Sequence, residues 1–153
     1  MINILFLDLE TTNSGDIKEI GLVYGERELK TTSLSDVKQF IEEYDPAFIA
    51  GHNFVTFDQK MLQETALMPI LETKVIIDTL PISLLLFNER TFHHLPKSYK
   101  NEDNFLNDPV EDSKLSRKLF EQCVENFLGL EKRRQNVFFS LLADQDLFQG
   151  FFQ

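Results

Sequence analysis

Near its start the chain runs Ile4-Leu5-Phe6-Leu7-Asp8-Leu9-Glu10, alternating as a β-strand does. Leu5, Leu7 and Leu9 fall on one side, and Ile4, Phe6, Asp8 and Glu10 on the other. A strand this apolar belongs in a core, yet it carries two carboxylates on one side, about 6.6 Å apart along its length. Burying an unpaired carboxylate costs several kcal/mol, and a like-charged neighbour raises that cost. A divalent cation held between the two removes the penalty, and acid-x-acid on a strand offers the oxygen donors that Mg²⁺ or Mn²⁺ takes. The competing reading has one acid facing water at the strand end and the other capping a turn.

The 153-residue chain, 42% hydrophobic and 26% charged, suits a single domain over residues 1–153 that needs neither disulfide nor structural metal for its core. Its one cysteine, Cys123, excludes an internal disulfide and a Cys-based zinc site. It falls on the apolar side of a predicted helix, which reads as a buried thiol and fits a reducing cytoplasm. With no signal peptide before the first strand and no apolar run near the ~20 residues a membrane span requires, a cytoplasmic protein without a membrane partner is expected. The net charge of −10 counts mildly against a nucleic-acid partner. That charge is uneven, however: residues 1–96 hold 7 basic and 15 acidic side chains, residues 97–134 hold 8 of each. Metals that neutralise the acids would let an acidic chain handle a polyanion.

Strands are predicted over 3–9, 17–24 and 28–32, the last two joined by a hairpin at Gly25-Glu26. Val37, Phe40, Ile41 and Tyr44 give a helix with Ser33 or Ser35 as N-cap, stopped by Asp45-Pro46. Phe48-Ile49-Ala50 and Val75-Ile76-Ile77 are short apolar runs of the parallel-strand kind, separated by a helix over 55–66. Asp78 caps a helix over 79–87. Residues 88–107 are polar and irregular, with a helical turn near 95–99. Asp108-Pro109 opens a long helix to about 128, with Glu111 completing a capping box, and a last helix spans 131–143. The pattern predicts an α/β fold, a mixed five-stranded sheet flanked by helices. The apolar end, Phe148 to Phe152, points to a fragment of a longer protein, to pairing with another chain, or to a terminal helix docked on its own core.

Two more acids fall on apolar helix faces. Asp58 shares a face with Met61, Leu62 and Thr65, and Asp112 with Leu115, Leu119 and Cys123. Both lie near a helix start, where the dipole favours negative charge. Four inward acids from three elements point to a shared metal site more readily than to four separate caps.

Three stretches together resemble the exonuclease motifs of the DEDD, DnaQ-like (DEDDh-type) 3′–5′ exonuclease superfamily: Phe6 to Thr12, Gly51-His52-Asn53-Phe54 with Phe57-Asp58 and Leu62, and Val110-Glu111-Asp112-Ser113. The resemblance covers residues 3–128 and includes Asp78-Thr79-Leu80. It implies a ribonuclease H-like fold and two divalent cations, Mg²⁺ or Mn²⁺, held by Asp8, Glu10, Asp58 and Asp112. The implied activity is release of nucleoside monophosphates from the 3′ end of DNA or RNA, with single-stranded DNA the first expectation. Leu9, Thr11 and Thr12 would contact the terminal nucleotide, and Asn53 and Phe57 would shape its pocket.

One position departs from that pattern. Where the DEDDh branch has a histidine five residues before its last aspartate, this chain has Asn107, and where the DEDDy branch has a tyrosine four residues before, it has Asp108. A neutral amide cannot accept the proton of an attacking water, and a missing general base costs ~10²–10⁴ in rate. Three readings follow: His93 or His94 serves as base, the proton leaves slowly to solvent, or the domain binds nucleic acid without cutting it. His93 to Lys100 with Asn107 to Lys114 is also similar, more loosely, to the N-terminal exonuclease-like part of some bacterial RecQ-type helicases. That likeness implies helicase domains in the same polypeptide and a role in DNA repair. Lys97, Tyr99 and Lys100 would then touch a nucleic-acid strand, as would His94.

Overall fold

The structure, a computed structural model, describes residues 3–95 and 108–153. They form strands β1 (Ile4–Thr11), β2 (Ile17–Tyr24), β3 (Arg27–Thr31), β4 (Phe48–Gly51) and β5 (Val75–Asp78). The helices are α1 (Leu34–Tyr44), α2 (Asp58–Leu62), α3 (Met68–Leu71), α4 (Thr79–Leu86), α5 (Pro109–Gly129), α6 (Lys132–Leu142) and α7 (Gln149–Phe152). The sheet order is β3-β2-β1-β4-β5, with β1–β2 and β2–β3 antiparallel and β1–β4 and β4–β5 parallel. This α/β architecture, a five-stranded mixed sheet flanked by helices, is compatible with the ribonuclease H-like fold.

The alternation in β1 decides what each face of the sheet packs against. Leu5, Leu7 and Leu9 join Ile20, Leu22 and Ile49 beneath α1, α2 and α3, where Val37, Ile41, Leu62 and Leu71 are buried. Ile4 and Phe6 face the other way, into a cluster with Ile82 and Leu86 of α4 and Val110, Leu119, Phe120 and Cys123 of α5. A fully buried leucine contributes about 2 kcal/mol, so a one-residue slip of β1 that exchanged its faces would be heavily penalised. The Cys123 thiol is buried as expected, and desolvation pushes its pKa up to about 12.

Two helix predictions need correction. The helix expected over 55–66 is the single turn-and-a-half of α2, and α3 follows it after a bend. Leu62, Leu67 and Leu71 are all buried in one cluster, and the five-residue step from 62 to 67 leaves one stripe of a straight helix, so the chain must bend to bury all three. Upstream, the amides of Asn53 and Val55 are held by Asp78, and Asn53 sits at φ 62, so the chain stays in turns until Asp58. The capping box at α5 is only half made. Asp108 accepts from the Val110 amide at 3.0 Å, but Glu111 turns to Lys114 at 2.8 Å. The helical turn expected near 95–99 lies almost entirely outside the described residues.

The terminal aromatics dock on the protein's own core. Phe151 packs its ring edge-on against Phe120 and Phe127. Gly150 is pressed so close to β5 that a Cβ there would stand 2.3 Å from the Ile76 carbonyl oxygen.

Candidate metal centre

β1 is longer than its parallel neighbour. β4 pairs with it only from Ile4 to Phe6, while β2 follows it to Thr11. Asp8 and Glu10 therefore stand beyond the end of β4, at the open edge where the strands part. The face that is apolar at Ile4 and Phe6 becomes acidic there, and both acids are half-buried.

Asp112 comes to this edge on the first turn of α5. Gly21 of β2 lies opposite Asp8 in register, and α5 starts directly on it: a Cβ at Gly21 would stand 2.1 Å from the Pro109 carbonyl carbon. The buried Ser113 hydroxyl donates to the Gly21 carbonyl at 3.1 Å, and the Arg117 guanidinium donates to the Gly25 carbonyl at 2.8 Å. Backbone contact at one point and two hydrogen bonds, one to β2 and one to the turn that follows it, fix the helix start. Carboxylate oxygens of Asp8, Glu10 and Asp112 all lie within 4.8 Å of one another. Oxygen ligands around one octahedral Mg²⁺ at ~2.1 Å stand about 3.0 or 4.2 Å apart, so this spacing fits hard-cation coordination with little movement. The start of α5 also aims its dipole at the cluster, which favours the negative charge.

Asp58 is the most deeply buried of the four acids, 2% exposed, and belongs to the same corner without joining the tight group. Among the described residues no strand pairs with the β4-facing edge of β1 past Phe6, so the Leu9 amide takes another acceptor. The Asp58 carboxylate supplies it at 2.9 Å. Burial pushes the Asp58 pKa up to about 8; the Leu9 amide opposes the shift, and the charges of Asp78 and Glu10 add to it. Without a cation, Asp58 is thus held near the boundary between neutral and charged at physiological pH. Its structural role as acceptor for Leu9 was not visible in the sequence.

The other predicted residues divide. Leu9 buries its side chain in the core and commits its amide to Asp58. Thr11 is half-buried, at an irregularity in the β1–β2 pairing, and the Thr12 hydroxyl accepts from the Asp16 amide at 3.1 Å within a surface turn. Asn53 takes a short hydrogen bond from the Thr56 hydroxyl. Phe57, 41% exposed, stands just before Asp58. Neither histidine offered as a base joins the carboxylates. His93 Nδ1 pairs with the Ser83 hydroxyl at 2.8 Å, and the exposed His94 stacks on Phe92. Asn107, Lys97, Tyr99 and Lys100 lie outside the described residues.

Sequence reasoning missed three contributors. Asp78 caps α4 through the Leu80 amide, as expected, but it also accepts from the amides of Asn53 and Val55 at 2.9 and 3.0 Å, clamping the loop that leads to Asp58. His52 pairs through Nδ1 with the Thr79 hydroxyl, which itself donates to the Gly51 carbonyl; burial lowers the His52 pKa and Asp78 opposes that shift. Gly21 looked like an ordinary strand glycine. The runs Gly51-His52-Asn53 and Asp78-Thr79-Leu80, each at the end of a parallel strand, were the local signals of this arrangement.

No family model matches the chain, and comparison with curated proteins finds no match. The geometry itself defines an acidic cluster of Asp8, Glu10 and Asp112, at the edge of a mixed sheet, that could bind a metal ion. None of the helices among the described residues is long and apolar enough to cross a membrane.

Proposed function

We propose that this chain is a metal-dependent 3′–5′ exonuclease that removes nucleotides from the ends of single-stranded DNA or RNA. The observation that carries the reading is the convergence of Asp8, Glu10 and Asp112 to within 4.8 Å, from a strand and a helix 104 positions apart in sequence. Two cations, Mg²⁺ or Mn²⁺, would be held by these three acids with Asp58, whose buried carboxyl is in need of a counter-charge. Bound there, such cations supply Lewis-acid activation of water and neutralise charge on a phosphodiester. The protein's own part is positional. Asp58 and the Leu9 amide fix the corner, Asn53 and Phe57 border it, and Asp78 holds the loop that carries them.

The single test is incubation with 3′- and 5′-labelled oligonucleotides in Mn²⁺, beside Asp8→Ala. A ladder from the 3′ end that falls at least 10³-fold in the variant is the expected result. Cleavage no greater than that of Asp8→Ala, with metal binding intact, sinks the exonuclease and leaves a metal-dependent binding domain. Asn107→His should raise the rate ~10²-fold if no other group takes the proton. An unchanged rate, combined with loss of activity in His94→Ala, would move the base to the 93–94 segment.

A further inference from the structure

On the flank of α5 away from β2 lies a pocket of about 150 Å³, lined by residues that include Ser83, Arg90, Phe92, His93, His94 and Lys118. We infer that it is a second nucleotide subsite for a single strand: Arg90 and Lys118 take a phosphate, and the Phe92–His94 pair takes a base. This deepens the exonuclease reading and rests on it for the nature of the strand.

Charge is the first argument. In a chain of net charge −10, the other cations of the α5 start are matched: Lys114 with Glu28 and Glu111, Arg117 with Glu121. Among the described residues no carboxylate lies within ion-pair distance of Arg90 or Lys118. Arg90 is also preorganised, its guanidinium carbon 3.7 Å from the centre of the Phe87 ring. A guanidinium fixed in this way loses little freedom on meeting a phosphate.

The second argument is the exposed aromatic pair. Phe92 is 73% exposed, and its ring stacks on His94 with centroids 5.8 Å apart and planes 21° apart. A side chain of this size gains nothing by facing water, whereas a flat aromatic surface beside cations is what bases of a single strand stack on. The Ser83 hydroxyl holds His93 at 2.8 Å, which anchors the segment that carries the pair.

Position is the third. Lys118 follows Asp112 by six residues on one helix, about 9 Å along its axis at ~1.5 Å per residue. A strand with one phosphate at the carboxylates can therefore reach the pocket along α5.

Binding of labelled ten-nucleotide DNA and RNA single strands should be measured by fluorescence anisotropy in EDTA, where no cutting occurs, with adenosine monophosphate as competitor. Lys118→Glu should weaken binding at low salt at least tenfold and Phe92→Ala about fivefold or more, with melting temperatures unchanged because both side chains are exposed. Lys118→Gln should reduce the slope of log affinity against log salt by about 0.7. Unchanged affinity in Lys118→Glu and Phe92→Ala overturns the subsite while leaving the carboxylate site untouched, as does a wild type that cuts but whose KM ignores both changes. Loss of binding in both variants of a protein that cuts nothing supports the subsite and removes only the exonuclease. A mononucleotide that binds as tightly as the ten-mer would assign the pocket to free nucleotide and overturn the strand.

Discussion

Helices α5 and α6, which follow one another after residue 108, are docked in different ways. α5 buries Pro109, Val110, Ser113, Ser116, Leu119, Phe120 and Cys123, and it touches β2 backbone to backbone. α6 buries only Gln135, while Val137, Phe139 and Leu141 stay 48–65% exposed. Gln135 ties α6 down by donating its amide to the Leu128 and Leu130 carbonyls at the end of α5. A helix that merely covers a core can be held by one polar contact and a few aromatic rings. A helix that must place Asp112 within a few ångströms of Asp8 needs a fixed origin, which here is the missing side chain of Gly21.

The largest effect should come from removing that origin. Gly21→Ala drives a methyl into the Pro109 backbone, which cannot give as a flexible side chain would. A loss of at least about 3 kcal/mol in denaturant unfolding is expected, with metal affinity falling by more than tenfold. Full stability with weak metal binding would show that the helix had shifted while the sheet stayed intact.

The next effect concerns the buried acid at the same corner. The Asp58 pKa is raised from 3.8 to about 8 in the fold. Between those values the native metal-free protein keeps a proton that the unfolded chain has released, so stability falls as pH rises through about 4 to 8 and levels off above. Asp58→Asn keeps an acceptor for Leu9 without the charge. It should flatten this part of the profile, melting higher than the wild type at pH 8.5 by roughly 2 kcal/mol equivalent and about the same at pH 5. Adding Mn²⁺ at pH 7 to the wild type should release protons to an unbuffered dye; no release would place Asp58 outside the cation's reach.

Smaller changes are expected on the α6 side. Gln135→Ala removes the donor to two carbonyls and should cost ~1–2 kcal/mol without changing metal affinity. Coupled loss of metal affinity would mean that α6 also positions the site. The smallest is Ser116→Ala on α5. Its buried hydroxyl finds no hydrogen-bond partner among the described residues, so the change should be neutral or stabilising by up to ~1 kcal/mol in a thermal melt.

What the sequence disclosed depended on range. Alternation along β1 is a local, period-two signal, and it located both sheet faces and the two acids. Asp108-Pro109 located the start of α5 because capping chemistry is also local. The inward faces of Asp58 and Asp112 were legible from helical spacing, though only Asp112 enters the tight cluster. The late start of α2 at Asp58 was not legible, because Asp78 sets it from 23 and 25 residues away by taking the amides of Val55 and Asn53. Gly21 was silent for the same reason: its partner Ser113 lies 92 residues on, and no nearby residue betrays the contact.

That separation has a kinetic side. Closing a loop of about 100 residues costs on the order of 4 kcal/mol of chain entropy beyond a constant. Asp8 and Glu10 are neighbours on one strand and need no such closure, whereas bringing Asp112 to them does. All five strands precede residue 79, and a chain interrupted before Pro109 contains the whole sheet sequence with two of its three clustered carboxylates. The full three-carboxylate cluster therefore exists only once α5 has docked on Gly21, so the candidate metal centre reports on closure of the whole fold and not on the sheet alone.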